Sequence, residues 1–130
     1  MTAPPSPAVR RIAWTLRGLA IAFLAFDMAI KVIQSPMAID GTTALGYPAS
    51  AVLLIGLIEL TCLVLYVIPA TSVIGALLFT GYLGGAVATH VRLGNPLFSH
   101  VLFPVYVALL LWGGLYLQEP RLRALIPIRR

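Results

Sequence analysis

Four ionisable residues stand inside stretches that are otherwise apolar: Asp27, Lys31, Glu59 and His90. Placing a carboxylate or ammonium near the middle of a membrane span costs about 2.5 to 3.5 kcal/mol, so such residues are functional candidates by default. In "FDMAIK" (26 to 31) the acid Asp27 precedes the base Lys31 by one helical turn, the order and spacing that let the two pair on one helix face. Glu59 has no base three or four residues away. It takes a partner from another helix, or it carries a proton. A buried carboxyl group suits general acid–base chemistry on a lipophilic substrate, with Glu59, Asp27, Lys31 and His90 as the candidate catalytic residues. The same residues, with Thr80 and Arg92 beside them, suit the wall of a small-molecule, quinone-headgroup or proton site. The plainer alternative is that the charges satisfy one another and fix helix register.

The elements that must position these side chains follow from composition. The chain has 130 residues, of which 60% are hydrophobic and 10% charged, with a mean hydropathy of +0.98. Those values lie outside the range of soluble globular domains and indicate one integral membrane domain over residues 1–130. Four apolar segments, about 12–33, 49–68, 71–91 and 97–117, each approach the ~20 residues a helix needs to cross the hydrocarbon. The expected fold is all-α: an integral membrane four-helix bundle with up-down-up-down connectivity. The link between spans two and three, "IPAT" (68 to 71), allows only a tight turn between antiparallel neighbours. The Pro-rich tail, residues 1–9, is expected to be disordered.

Arginines at 10, 11 and 17 precede or open the first span, and those at 121, 123, 129 and 130 follow the last. The positive-inside rule then puts both termini in the cytoplasm and the loops carrying Lys31 and Arg92 outside. The net charge of +5 reads as this topology signal. No soluble basic face with interleaved aromatics is present, which argues against nucleic acid as a partner. The first span reads as retained rather than cleaved, because Asp27 and Lys31 interrupt the stretch where a signal peptidase site would fall.

On this frame Glu59 lies roughly 16 Å below the outer end of its span, near the bilayer midplane, with Thr80 of span three at similar depth as a candidate hydrogen-bond partner. Arg17, Leu24, Asp27 and Lys31 fall along one helical stripe, with Phe23 and Phe26 directed elsewhere. Lys31, His90, Arg92, Asp27 and Glu59 together describe a polar funnel from the outer face to the midplane. Ala76, Thr80, Gly84 and Ala88 recur every fourth residue in span three, beside the G-x-x-x-G of Gly81 and Gly85. Small residues at that spacing allow close helix packing in lipid, at the bundle centre or against a second copy or a redox partner subunit. Asn95 and Pro96 are expected to cap and open the fourth helix, and Pro104 to kink it.

The single cysteine, Cys62, excludes an intrachain disulfide and a C-x-x-C redox pair. His90 and His100 flank the same loop but are too few for a recognisable metal site, and none is expected. The tyrosines and tryptophans, Tyr82 among them, read as an interfacial belt.

The chain resembles the DoxX-like family of small four-span bacterial membrane proteins. The resemblance runs through "FDMAIK", "IGLIEL" (55 to 60), "LYVIPATSVIGALLFTGYLGGAVATHVR" (65 to 92), "NPLFSHVLFPVY" (95 to 106) and "WGGLYLQEPRLRALIP" (112 to 127). It implies a span-one lysine at Lys31, a span-two glutamate at Glu59 and a span-three histidine at His90. Asp27 stands where many relatives carry a small residue. The family takes its name from a membrane subunit of a thiosulfate:quinone oxidoreductase, so the resemblance implies a multi-pass protein of the bacterial cytoplasmic membrane. Its expected role is accessory or redox-complex subunit, in contact with the lipid bilayer and with quinone or another small lipophilic ligand. No tightly bound cofactor is implied. A membrane enzyme using Glu59 as acid or base, and a small transporter, are the alternatives.

Overall fold

The computed structural model describes residues 3–129, and among these the regular structure is helical throughout. Helix α1 spans Pro7–Val32, α2 Pro36–Ala44, α3 Ala51–Val67, α4 Ser72–Arg92, α5 Phe103–Gln118 and α6 Pro120–Leu125. A 3-10 turn, Pro69–Thr71, leads into α4, and a π-helical turn, Leu97–Val101, leads into α5. Three segments are long and apolar enough to cross a membrane: Pro7–Val32, Pro69–Arg92 and Leu97–Gln118. The helix from the second apolar segment, α3, is shorter at 17 residues, the lower limit for a span.

Two helices begin at the same dipeptide. Ser6 accepts a hydrogen bond from Val9 N at 3.3 Å with Pro7 in the first turn of α1, and Ser35 accepts one from Ala38 N at 3.2 Å with Pro36 opening α2. A serine hydroxyl satisfies an orphan amide while proline supplies a preset φ and has no amide to lose. One expectation changes as a result. The tail is helical from Pro7 onward, and Met1 and Thr2 lie outside the described residues. The link at 34–48, between the first two apolar segments, contains a nine-residue helix. Helix α4 ends at Gly94, where a φ of +67° lets Asn95 N reach back to His90 O at 3.1 Å, closing the helix in the way glycine favours.

Helix α1 packs against α3 and α5, and α4 packs against the same two, so the four long helices enclose one core. That core holds Ala20 and Leu24 of α1, Tyr66 of α3, Phe79 of α4 and Leu111 of α5. Its ends are set by specific neighbours. Near the start of α1, Arg17 meets Tyr66 at the end of α3 and Gln118 at the end of α5. Near the end of α1, Lys31 meets Gly56 and Glu59 in α3.

Two glycines make these approaches close. A Cβ on Gly114 would run into the Arg17 side chain and lie 2.9 Å from Ala13 O. A Cβ on Gly56 would lie 2.8 Å from Lys31 Cβ and 3.1 Å from Val32 N. The outward faces are apolar, with Leu19, Phe26, Leu54, Leu77 and Leu109 exposed, the inverse of a soluble protein and suited to lipid.

Past Ala76, the small-residue face of α4 is not central. Gly81, Gly84 and Gly85 have open space where a Cβ would stand, and Thr80 and Ala88 are exposed. Gly75, Ala76, Phe79 and Leu83 carry the inward packing instead. Pro104 does not kink a continuous helix. It occupies the first turn of α5, after the π-helical turn has ended at Val101, where its missing amide costs nothing.

Candidate functional site

Asp27 and Lys31 occupy successive turns of α1, and their side chains form an ion pair as their spacing indicates. Glu59 joins them from α3. The Lys31 ammonium donates to Asp27 Oδ2, to Glu59 Oε2 at 3.1 Å and to Tyr82 Oη at 2.8 Å. All three of its hydrogens are thereby engaged. The Tyr82 hydroxyl, brought by α4, donates in turn to Glu59 Oε2 at 3.0 Å. Phe79, one turn earlier, packs edge-on against the Tyr82 ring with centroids 6.3 Å apart. Three helices therefore meet through four side chains.

Glu59 is fully buried, whereas the Lys31 and Asp27 side chains keep 15% and 30% exposure. Its second oxygen, Oε1, is buried without a hydrogen-bond partner among the described residues. With both acids ionised, one ammonium faces two carboxylates and the group carries a formal charge of −1. Such a charge in a low-dielectric interior is costly until a proton or another cation neutralises it.

Thr80, the partner suggested by depth, takes no part. Its hydroxyl donates to Ala76 O at 2.8 Å and accepts from Trp112 Nε1 at 2.8 Å. Equal depth along a helix does not mean equal rotation about its axis, and Thr80 lies on a different face from Tyr82. A signal for Tyr82 was present: Tyr82, Gly85, Ala86, Thr89 and His90 follow the 0, 3, 4, 7, 8 spacing of one helical face.

That face lines a cavity of about 220 Å³. Lys31 and Tyr82 contribute to its wall, Ile55 and Ile58 of α3 form an apolar side, and Thr42, Leu45 and Tyr47 of the α2 region cover it. Tyr47 is held in place by a 2.8 Å hydrogen bond to Thr89 Oγ1, whose own hydrogen goes to Gly85 O. His90 also lines the cavity. Asn95 Nδ2 lies 2.8 Å from His90 Nδ1, so the amide donates to that nitrogen and the ring hydrogen belongs on Nε2. Asn95 thus serves His90, not the cap of the following helix, which has no side-chain cap.

Asp27, Glu59 and Arg92 do not line this cavity. The expected funnel is therefore divided, with the carboxylates standing behind Lys31 and Tyr82. Arg92 turns to the α2 region, donating to Leu45 O at 2.6 Å and covering Gly46, whose φ is +94°. His90 and His100 pack edge to face with centroids 5.7 Å apart. Among the described residues, no group of three or more His, Cys, Asp or Glu side chains is placed to hold a metal ion.

A second polar cluster lies at the other end of α1. Arg17, a topology signal in the sequence, is 95% buried, its exposure being 5%. Its guanidinium donates to Tyr66 Oη at 3.2 Å, Gln118 Oε1 at 2.5 Å, Tyr66 O at 3.2 Å and Ser72 Oγ at 3.4 Å. It also lies 4.6 Å from the Trp14 ring centroid and 4.8 Å from that of Tyr66. Neutral oxygens and aromatic faces together satisfy this cation, and no carboxylate pairs with it among the described residues.

Comparison with curated proteins and with solved structures gave no match. The model of the DoxX-like family matches residues 15–114, a stretch that runs from α1 into α5 and contains Asp27, Lys31, Glu59, Tyr82 and His90. With that match over most of its length, and with apolar helices long enough to cross a bilayer, the chain is a membrane protein of the DoxX-like family.

Proposed function

We propose that this protein is a four-span, antiparallel bundle of the bacterial cytoplasmic membrane with both termini in the cytoplasm, acting as an accessory subunit of a redox complex. In this reading the cavity beside α2 takes the headgroup of a quinone or a similar neutral ring compound. The observation that carries it is the double role of Lys31 and Tyr82, which line the cavity and also hydrogen-bond Glu59 Oε2. Reduction of a quinone adds a proton to each ring oxygen, with electrons supplied by a partner redox subunit. The Tyr82 phenol hands its proton to the nearer ring oxygen and recovers one through Glu59, a carboxylate at rest that takes up a proton during turnover and gives it to Tyr82. His90, with its hydrogen on Nε2, hydrogen-bonds the second oxygen and orients it, and that oxygen takes its proton from solvent. Ile55 and Ile58 give the apolar wall that such ligands need. The exposed small-residue face of α4, at Gly81, Gly84 and Ala88, is the surface for the partner subunit or a second copy.

The test is binding of a short-chain benzoquinone to the detergent-solubilised protein by equilibrium dialysis. Ile58→Trp, which fills the cavity, is expected to abolish binding. Tyr82→Phe is expected to keep binding within a few-fold while suppressing proton uptake on quinone reduction. An unmodified protein that binds no quinone, or an Ile58→Trp variant that binds it normally, refutes the reading.

A further inference from the structure

The end of the molecule remote from the candidate site gathers positive charge. Ala13 and Arg17 of α1 meet Gly114 and Gln118 of α5, so the start of α1, with Arg10 and Arg11, lies at the same end as α6, with Arg121 and Arg123, and Arg129 beyond it. Glu119 is the acid there, and its carboxylate is engaged in capping α6 through Arg121 N at 3.2 Å. Among the described residues, Arg121, Arg123 and Arg129 form no ion pair. Arg123 is fixed in position, because its Nη1 donates to the last-turn carbonyls of Tyr116 at 2.9 Å and Leu117 at 2.8 Å.

Beside these arginines lies a second cavity of about 220 Å³, a groove along α5. Leu109, Trp112, Gly113 and Tyr116 form its length, and Leu122 and Ile126 close it at the α6 end. Leu109 to Tyr116 covers roughly 10 Å of helix rise, directed from the basic end toward the middle of α5. Leu125 and Ile128 are exposed next to the arginines, so the segment after α5 presents apolar side chains and cations side by side. That combination belongs at the boundary between headgroups and acyl chains.

We infer that this groove is a binding site for an anionic phospholipid, with one acyl chain along Leu109, Trp112 and Tyr116 and the phosphate held by Arg121, Arg123 and Arg129. Charge complementarity selects the occupant. An apolar groove alone accepts any acyl chain, but Arg121 and Arg123, which flank the lining residue Leu122, and Arg129, three residues past Ile126, bring cations without acidic partners to its α6 end, and these favour a lipid carrying net negative charge over a zwitterionic one. The Trp112 indole hydrogen is committed to Thr80, which leaves its ring as apolar wall. The site is independent of the cavity that holds Lys31 and Tyr82.

Trp112 reports on this groove. With Trp14→Phe as background it is the sole tryptophan, and its fluorescence is read in phosphatidylcholine vesicles doped with bromine-labelled phosphatidylglycerol or, at equal fraction, bromine-labelled phosphatidylcholine. The labelled phosphatidylglycerol is expected to quench Trp112 several-fold more strongly. Adding R121Q and R129Q should bring the ratio of quenching by the two labelled lipids close to one; neither side chain makes a bond within the described chain, so the helical content should not change. High salt should shrink the preference in the protein with its arginines intact, a measurement that needs no further substitution. Equal quenching by the two labelled lipids, no quenching by either, or a preference that survives both R121Q/R129Q and high salt overturns the proposal.

Discussion

Replacing Lys31 with Met removes the one cation that Asp27 and Glu59 share, and the cost can be estimated from the contacts it makes. The ammonium donates to two carboxylates and one phenol. Methionine restores the volume of the stem but none of these bonds, and it leaves fully buried Glu59 facing Asp27 with no counter-charge. Breaking a buried ion pair by deleting one partner costs about 3–5 kcal/mol, most of it from the charge left behind. The informative comparison is therefore with the double variant Lys31→Met/Glu59→Gln. It removes the stranded charge, and should be more stable than Lys31→Met alone by about 1 kcal/mol or more. Reversible unfolding in mixed micelles, followed by far-UV circular dichroism, measures both. A Lys31→Met protein within about 1 kcal/mol of the parent, or a double variant whose losses simply add, would refute the ion-pair reasoning.

Two further substitutions probe how the helices are held. Gly114→Ala places a methyl against the Arg17 side chain and Ala13 O and is expected to cost about 2 kcal/mol as α1 and α5 move apart, measured by the same unfolding assay. Arg17→Met leaves Gln118 Oε1 without its donor, takes one of two donors from Tyr66 O and opens a gap between the Trp14 and Tyr66 rings; it should destabilise by about 3 kcal/mol, whereas an exposed topology arginine would cost almost nothing on removal.

The sequence shows the apolar segments, the Asp27–Lys31 pair and the need for a partner at Glu59 because each depends on spacing along one chain. It does not show which face of α4 turns toward Glu59. Helix depth placed Thr80 level with the acid, but rotation brings Tyr82 there, and rotation is set by which residues pack inward: Gly75, Ala76, Phe79 and Leu83. The same inward set leaves Gly81 and Gly84 outside. Helix α2 is not foreseen from the apolar pattern, because its nine residues are too few and too mixed to stand out, although the Ser-Pro that opens it also opens α1. The burial of Arg17 was not, because a basic residue near the end of a span is also what topology requires. Its hydrogen-bond acceptors come from three other helices, at separations of 49 to 101 residues.

The Arg17 cluster also decides how the molecule can flex. One guanidinium holds the end of α3, the start of α4 and the end of α5 to α1, and Gly75 lets α4 lie directly on the Tyr66 backbone nearby. The opposite ends of α3 and α4 have the cavity between them, covered by Leu45 and Tyr47, with Arg92 bonded to Leu45 O. The pair is therefore riveted at the arginine, while around the cavity it is held by the hydrogen bonds of Lys31 and Tyr82 to Glu59 and by the α2 region above.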